Sequence, residues 1–434
     1  MKKTLFLCLA ACAVLLAAKV PLSQAVVNAW KISPGLDSQR LEGDAAAIAG
    51  LTALKQKNFS VFFSGSYRYA SDRVQITLSD FPFPLNADVP PGTIILSTPN
   101  DNFDLKMSLA QPVYSGGILS NAVRMEAIRE ATERDLARLK KIELAGKVKS
   151  SFFSYRLLCK KRDSLNLLFA ILKLHQGRLE NLYREELVRK SDLLETMTKA
   201  DEIRLNLEDL EQLMRSEALN FSTLCGYEPG DIDDDVPAGE ASLPAASEFF
   251  LANHPLLRSL DGKARLIQIQ KKSIAGSYLP QVHAVAELHY SRPGQNFFAK
   301  RWVPYVVGGI SVSMPVFNWN KGGRDKTLAD IAARKLENQR ADFIRESEKS
   351  LRQMFFLRES LEKKRALLDS LVAHAAEDAR LKEKLYAENQ IDHNDYLAAL
   401  TSQERYLSNR EELLAQVELL KVGIDTLIGK CEEE

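Results

Sequence analysis

The sequence predicts a mainly α-helical chain with some β structure, built from a strand pair and a long helical hairpin that each occur twice. Three observations predict it. The chain repeats itself at a fixed offset, four segments alternate apolar and polar residues over about ten positions, and two runs of about a hundred residues nearly lack proline and glycine.

Composition narrows the class. The chain has 434 residues, with 58 Lys plus Arg against 57 Asp plus Glu, and 45% of it is apolar. It is long and apolar enough to bury a core, and too balanced in charge for a disordered tail. No basic surplus points to nucleic acid. Beyond the N-terminus there is no apolar run of ~20 residues, so no transmembrane helix is expected. Proline is absent between Pro112 and Pro229 and again after Pro315, which disfavours an α/β enzyme with its frequent loops.

The first residues read as an export signal. Met1-Lys2-Lys3 is a basic start, Thr4 to Ala18 is apolar, and Ser23-Gln24-Ala25 offers small residues for cleavage after Ala25. A minor alternative is lipidation at Cys12, which closes the segment Leu9-Ala10-Ala11-Cys12. The apolar residues that follow, Ala13 to Ala18, argue against it. Cleavage after Ala25 leaves Cys159, Cys225 and Cys431, an odd number without metal-ligand spacing.

An internal repeat organises the rest. Pro34 and Leu36 recur as Pro255 and Leu257, 221 residues later, and Ser60–Tyr69 lies over Gln281–Tyr290 at the same offset. The offset then falls to 203: Pro112-Val113-Tyr114 becomes Pro315-Val316-Phe317, and Asp192 becomes Asp395. The first copy therefore carries 18 extra residues, in the Pro-rich stretch around Phe81-Pro82-Phe83-Pro84 and Pro90-Pro91-Gly92. Gly116-Gly117 aligns with Gly322-Gly323 only if the second copy has three extra residues. The expected organisation is a signal over 1–25, a first repeat over 26–229, a linker over 230–247 and a second repeat over 248–434.

Four strands are expected, at about 60–69, 102–110, 281–290 and 305–314. In Phe103-Asp104-Leu105-Lys106-Met107-Ser108-Leu109 every second residue is apolar. Strands of this length cross an outer membrane when tilted, but a soluble sheet with one wet face shows the same alternation.

The helical hairpins are expected at about 118–226 and 322–429. Leu413, Val417, Leu420, Ile424 and Leu427 step 4, 3, 4, 3, the seam of a left-handed coiled coil. Their equivalents are Leu210, Met214, Glu217, Phe221 and Leu224, with Glu217 the exception. The reversals are expected near Val188 to Asp192 and near Asn389 to Asp395. Gly116, Gly117, Gly322 and Gly323 read as strand-to-helix turns.

Four strands cannot close a membrane barrel, since the smallest have ~8. An open edge in lipid leaves backbone groups unpaired, so membrane-embedded strands require a barrel shared among subunits. Two chains supply eight strands and a filled interior; three supply twelve and leave an aqueous lumen.

The chain resembles the TolC-type outer membrane efflux protein family. The likeness runs from about Pro34 to Gly429. It is carried by the helix start Pro255-Leu256-Leu257, by Gly276-Ser277-Tyr278-Leu279-Pro280 before a strand, and by Gly309 to Phe317 before Gly322-Gly323. It is also carried by the segment from Tyr386 to Asp395-Tyr396-Leu397-Ala398-Ala399. The resemblance implies a homotrimeric α-barrel with a shared twelve-stranded transmembrane β-barrel. Its place would be the outer membrane of a Gram-negative-type cell, in contact with outer membrane lipid and with a large periplasmic part. It implies an exit duct for efflux or type I secretion, partnered by a periplasmic adaptor (membrane fusion) protein and an inner-membrane RND or ABC pump. By position Asp395 matches an acid that rings the periplasmic aperture, and Tyr386 and Asp192 match a tip tyrosine and its acidic partner. Ala398 departs from the pattern, which often has a second acid there.

No enzyme chemistry is expected. The six histidines, His175, His254, His283, His289, His374 and His393, show no zinc-enzyme spacing, and neither Gly-Gly pair ends in the Lys-Ser/Thr of a phosphate loop. No cofactor is expected. The alternative to a duct is a periplasmic or surface coiled-coil scaffold without a pore.

Overall fold

A computed structural model describes residues 20–72, 74–77, 94–233, 242–388 and 390–431. The export signal up to residue 19, Cys12, the Pro-rich stretch at 81–92, linker residues 234–241 and Asn389 lie outside the described residues.

In chain order the first half holds β1 (Val20–Pro21), α1 (Leu22–Ile32), α2 (Pro34–Lys55), β2 (Ser60–Tyr69), β3 (Gln75–Thr77), β4 (Ile94–Ser97), β5 (Asp101–Tyr114), α3 (Ile118–Arg184) and α4 (Lys190–Cys225). The second holds β6 (Ile232–Asp233), α5 (Leu243–Asn253), α6 (Pro255–Gly276), β7 (Gln281–Arg292), β8 (Val303–Ser313), α7 (Lys321–Ala387) and α8 (His393–Ile428). The chain is 72% helical with some sheet.

The repeat reappears in the element bounds. α1 and α5 have 11 residues each, and α2 and α6 have 22 each, all starting 221 residues apart. α3 and α7 have 67 residues each and α4 and α8 have 36 each, all starting 203 apart. α4 and α8 both stop at a left-handed glycine, Gly226 (φ 73°) and Gly429 (φ 79°), where the lack of a Cβ removes the steric cost of the cap.

Two boundaries differ from expectation. Leu22 to Ala25, assigned by sequence to the signal, stand in α1, and Leu22, Ala25, Val26 and Ala29 are buried. A cut after Ala25 would fall inside this packed helix. In the sequence its apolar residues run on from those read as the signal, which hides the boundary. Leu243 to Ser247, assigned to the linker, open α5, the counterpart of α1.

The glycine turns are also corrected. Gly116 (φ 59°) and Gly117 (φ 82°) form the left-handed turn from β5 into α3. At an unbroken offset of 203 their equivalents are Trp319 and Asn320, both at φ 53°. Gly322 and Gly323 instead lie in the first turn of α7, where a Cβ would strike the Tyr278 ring and the Asn320 side chain respectively. No three-residue insertion is needed.

The chain divides into two compact units. The first unit comprises residues 1–40, 135–258 and 340–434, and holds three apolar clusters. One joins α1 to α3 and α4 through Val26, Phe152, Phe153 and Phe221. A second joins α3, α4, α7 and α8 through Leu168, Leu172, Ile203 and Leu397. A third joins α5, α6, α7 and α8 through Phe250, Leu257, Leu351 and Ile428. The heptad exception is explained here, since the Ser151 hydroxyl donates to the Glu217 carboxylate at 2.6 Å. A half-buried acid on the seam is satisfied by such a partner. Cys159, Cys225 and Cys431 form no disulfide with one another.

The second unit comprises residues 41–134 and 259–339. Its sheet runs β2-β5-β7-β8, antiparallel throughout, so β2 and β8 are its edges. The extra residues of the first copy include a short hairpin, β3 paired with β4.

Candidate functional site

The sheet has two chemically opposite faces. Register sets the rows Phe63↔Met107↔Leu288↔Val306, Val61↔Leu109↔Ala286↔Gly308 and Gly65↔Leu105↔Tyr290↔Pro304 on one face. This face is apolar yet exposed: Phe63 and Ile310 are each 74% accessible and Val306 is 69%. In water, an apolar patch of this extent is costly.

The other face is mainly polar on its two central strands, with Phe62 and Val307 on the edge strands. Ser64↔Lys106↔His289↔Tyr305 forms one row, and Asp104, Glu287 and Ser108 flank it. Lys106 pairs with Glu287 at 3.1 Å, and His289 lies 2.9 Å from Asp104 and 3.2 Å from Glu287. The Tyr305 ring stacks on His289 at 4.8 Å. His283 lies on the same face two positions beyond Val285. Among the described residues no group of three or more ligating side chains is set to hold a metal.

Aromatic residues mark both ends of the apolar face. At one end Tyr67, Phe103, Trp302 and Tyr290 form a run of ring contacts at 4.8, 5.6 and 5.0 Å. At the other, Phe317 packs on Trp319, and both are more than 70% exposed. Ten residues at ~3.3 Å, tilted ~45°, span ~25 Å, the height of an outer-membrane apolar band between its aromatic girdles.

A second arrangement occupies the ends of the helical hairpins in the first unit. Tyr386 near the end of α7 stacks on Tyr396 of α8 at 5.4 Å. Burial raises the Tyr386 phenol above its ordinary pKa, and the charge of Asp192 raises it further. Asp192 lies in the first turn of α4 and accepts a hydrogen bond from Ser191 at 3.0 Å. Asp395 is exposed in the first turn of α8, where the helix dipole favours an acid. Tyr386 and Asp192 are thus brought to one neighbourhood, and Asp395 stands on the open surface of α8.

Sequence reasoning missed the groups between them. His175 of α3, Thr196 of α4 and His393 of α8 are buried and hydrogen-bonded in series. His175 and His393 are 218 residues apart, on helices of different hairpins, so no local spacing announces the pair.

No family model and no curated protein matches the sequence. Solved structures do. The outer membrane protein VceC from Vibrio cholerae superposes with a TM-score of 0.75 at 13% identity, over 94% of this chain and 96% of that one. The CmeC outer membrane channel of Campylobacter jejuni gives 0.74 at 12% identity, over 94% and 85%. The open state of the MtrE outer membrane channel of Neisseria gonorrhoeae gives 0.73 at 12%, over 95% and 90%. The chain has the fold of outer-membrane channels. Strand pair and helical hairpin, each used twice, are the common plan expected from the TolC-type resemblance. At this low identity the likeness is one of fold.

Proposed function

We propose that the protein is the outer-membrane exit duct of a tripartite efflux or type I secretion system. One observation carries the reading. The four-stranded sheet turns an exposed apolar face outward between two aromatic ends, while its edge strands, β2 and β8, have no partner on their outer sides among the described residues. In lipid that face is satisfied and the edges are not. Three copies would pair the edges into twelve strands around a lumen lined by the Lys106–Glu287–His289 face. The fold shared with outer-membrane channels supports the same reading.

The helical part then forms the periplasmic tube, and its hairpin ends form the aperture. Asp395, repeated three times about the axis, would draw cations to a narrow neck. Tyr386 and Asp192 would help hold that neck closed. A periplasmic adaptor and an inner-membrane RND or ABC pump would deliver the cargo. The scaffold alternative must leave Phe63, Val306 and Ile310 in water, which disfavours it.

Membrane extraction and bilayer recording test the proposal. The exported protein is expected to stay in the outer membrane fraction through an alkaline wash, to run as a trimer in detergent and to conduct ions in a planar bilayer. A monomer that needs no detergent would overturn it.

A further inference from the structure

We propose that the His175–His393–Thr196 chain is an acid-operated latch: it holds the two hairpin ends together at neutral pH and lets them part when it takes up protons. The geometry dictates the protonation pattern. The Thr196 hydroxyl donates to the Asp192 carbonyl at 3.0 Å. Having one proton, it can only accept from His393 Nε2, 2.9 Å away. His393 therefore carries its proton on Nε2, and its Nδ1 accepts from His175 Nε2 at 3.0 Å. Every link is used once, and the series ties α3 and α4 of one hairpin to α8 of the other.

Acid has no good place in this arrangement. The two imidazoles are near-parallel, with centroids 4.9 Å apart and 9° between their planes, so two protonated rings would hold like charges about 5 Å apart. Tyr386 and Tyr396 close around His175 at 5.2 and 5.3 Å and keep water from it. The charged groups around the pair are Arg178 on α3, Asp192 and Glu195 on α4, and Glu383 on α7. Burial lowers both histidines. His175 is held at about 4, with His393 and Arg178 adding to the effect, while Asp192 and Glu195 partly offset burial at His393.

The sign follows. A histidine whose pKa is depressed in the joined state stabilises that state above about 6.5 and loses the contribution as pH falls toward 4. Once the hairpins part, both rings face water and take up protons at their ordinary pKa. From the His175 shift alone, the parted-to-joined ratio rises about 30-fold between pH 7.5 and pH 5. That parting widens a pore rests on the duct reading above; the parting itself does not.

Spin labels at the exposed positions Lys173 on α3 and Ala398 on α8 test the latch in the full chain in detergent, with the native cysteines replaced by serine. The distance distribution is expected to shift to longer separations between pH 7.5 and 5, with a parallel rise in bilayer open probability. His175→Gln keeps a donor for His393 and removes one titration, so it should blunt the shift. His175→Gln with His393→Gln should abolish it. Thr196→Val should part the ends already at pH 7.5. Identical distances at both pH values, or a double variant that responds as the parent does, would overturn the latch, even in a protein that conducts. Distances that shift in a protein without conductance at either pH would support the latch and overturn the duct.

Discussion

Gly116 and Gly276 stand back to back, so that a Cβ built on either would fall on the carbonyl oxygen of the other. The contact fixes the turn from β5 into α3 against the end of α6. Gly116 carries a second constraint, its left-handed φ of 59°. Gly117 shares the left-handed backbone at φ 82° but has its nearest atom, Asn121 Nδ2, at 4.0 Å. Three alanine substitutions therefore separate sterics from backbone strain. Gly117→Ala is expected to cost about 1 kcal/mol. Gly276→Ala pays the clash alone, and Gly116→Ala pays both penalties, roughly 2–4 kcal/mol. Thermal unfolding of the detergent-solubilised protein should rank Gly116→Ala lowest and Gly117→Ala closest to wild type. A Gly116→Ala protein as stable as Gly117→Ala would contradict the close approach.

The N-terminal helix yields a second prediction. α1 repeats α5 at the offset of 221, with Ala25 over the buried Ala246 and Ala29 over the buried Phe250. Asn28 donates to the Cys225 carbonyl at 2.7 Å, and the Trp30 indole to the Lys141 carbonyl at 3.1 Å. β1 ahead of the helix pairs with β6. Helix and strand together belong to the packed unit. A chain starting at Val26 loses Leu22, Ala25 and that pairing, and Leu22→Ala alone is expected to cost about 2–4 kcal/mol. N-terminal sequencing of the exported protein should find a start before Val20. A mature protein of full stability that begins at Val26 would refute this.

How legible the fold was depended on the kind of signal. The offsets of 221 and 203, read from a handful of matched residues, recur in the bounds of four helix pairs, because apolar periodicity and missing prolines persist over tens of residues. Gly116-Gly117 misled where it was paired with Gly322-Gly323. Residue type suggested a match, but the left-handed turn of the second copy is built from Trp319 and Asn320, and a tryptophan is rarely assigned to that conformation. Tyr386 and Asp192 are singled out by resemblance to known positions, and the fold brings them near each other. His175, Thr196 and His393 had no such pointer. Their meeting depends on how α3, α4 and α8 pack, and packing across 218 residues leaves no trace in local spacing.

The two faces of the sheet should respond oppositely to charge. Met107 lies on the apolar face beside Phe63 and Leu288, whereas Ser64 lies on the polar face opposite Lys106. If the apolar face meets lipid, Met107→Arg sets a cation in it, at a cost of about 2–4 kcal/mol near the midplane. It should reduce the amount of oligomer recovered from the membrane. Ser64→Arg should fold and alter only conductance. Comparing heat-resistant oligomer on gels with bilayer current separates the two effects. Equal tolerance of both substitutions would mean that the apolar face does not meet lipid.

Asp395 and the Tyr386–Asp192 pair should control different properties of the aperture. Asp395 is exposed in the first turn of α8, so its carboxylate can act on ions without bracing the fold. Asp395→Ala should weaken cation preference and block by multivalent cations, read from reversal potential in a salt gradient, and leave thermal stability within about 0.5 kcal/mol. Tyr386 is half-buried among His175, His393 and Tyr396, and Asp192 lies near enough to perturb its phenol. Removing that group loosens the tip from inside. Tyr386→Phe with Asp192→Ala should therefore raise closed-state conductance and admit large antibiotics, with cation preference retained. If Asp395→Ala raised leak while the double variant shifted only selectivity, the two roles would have to be exchanged.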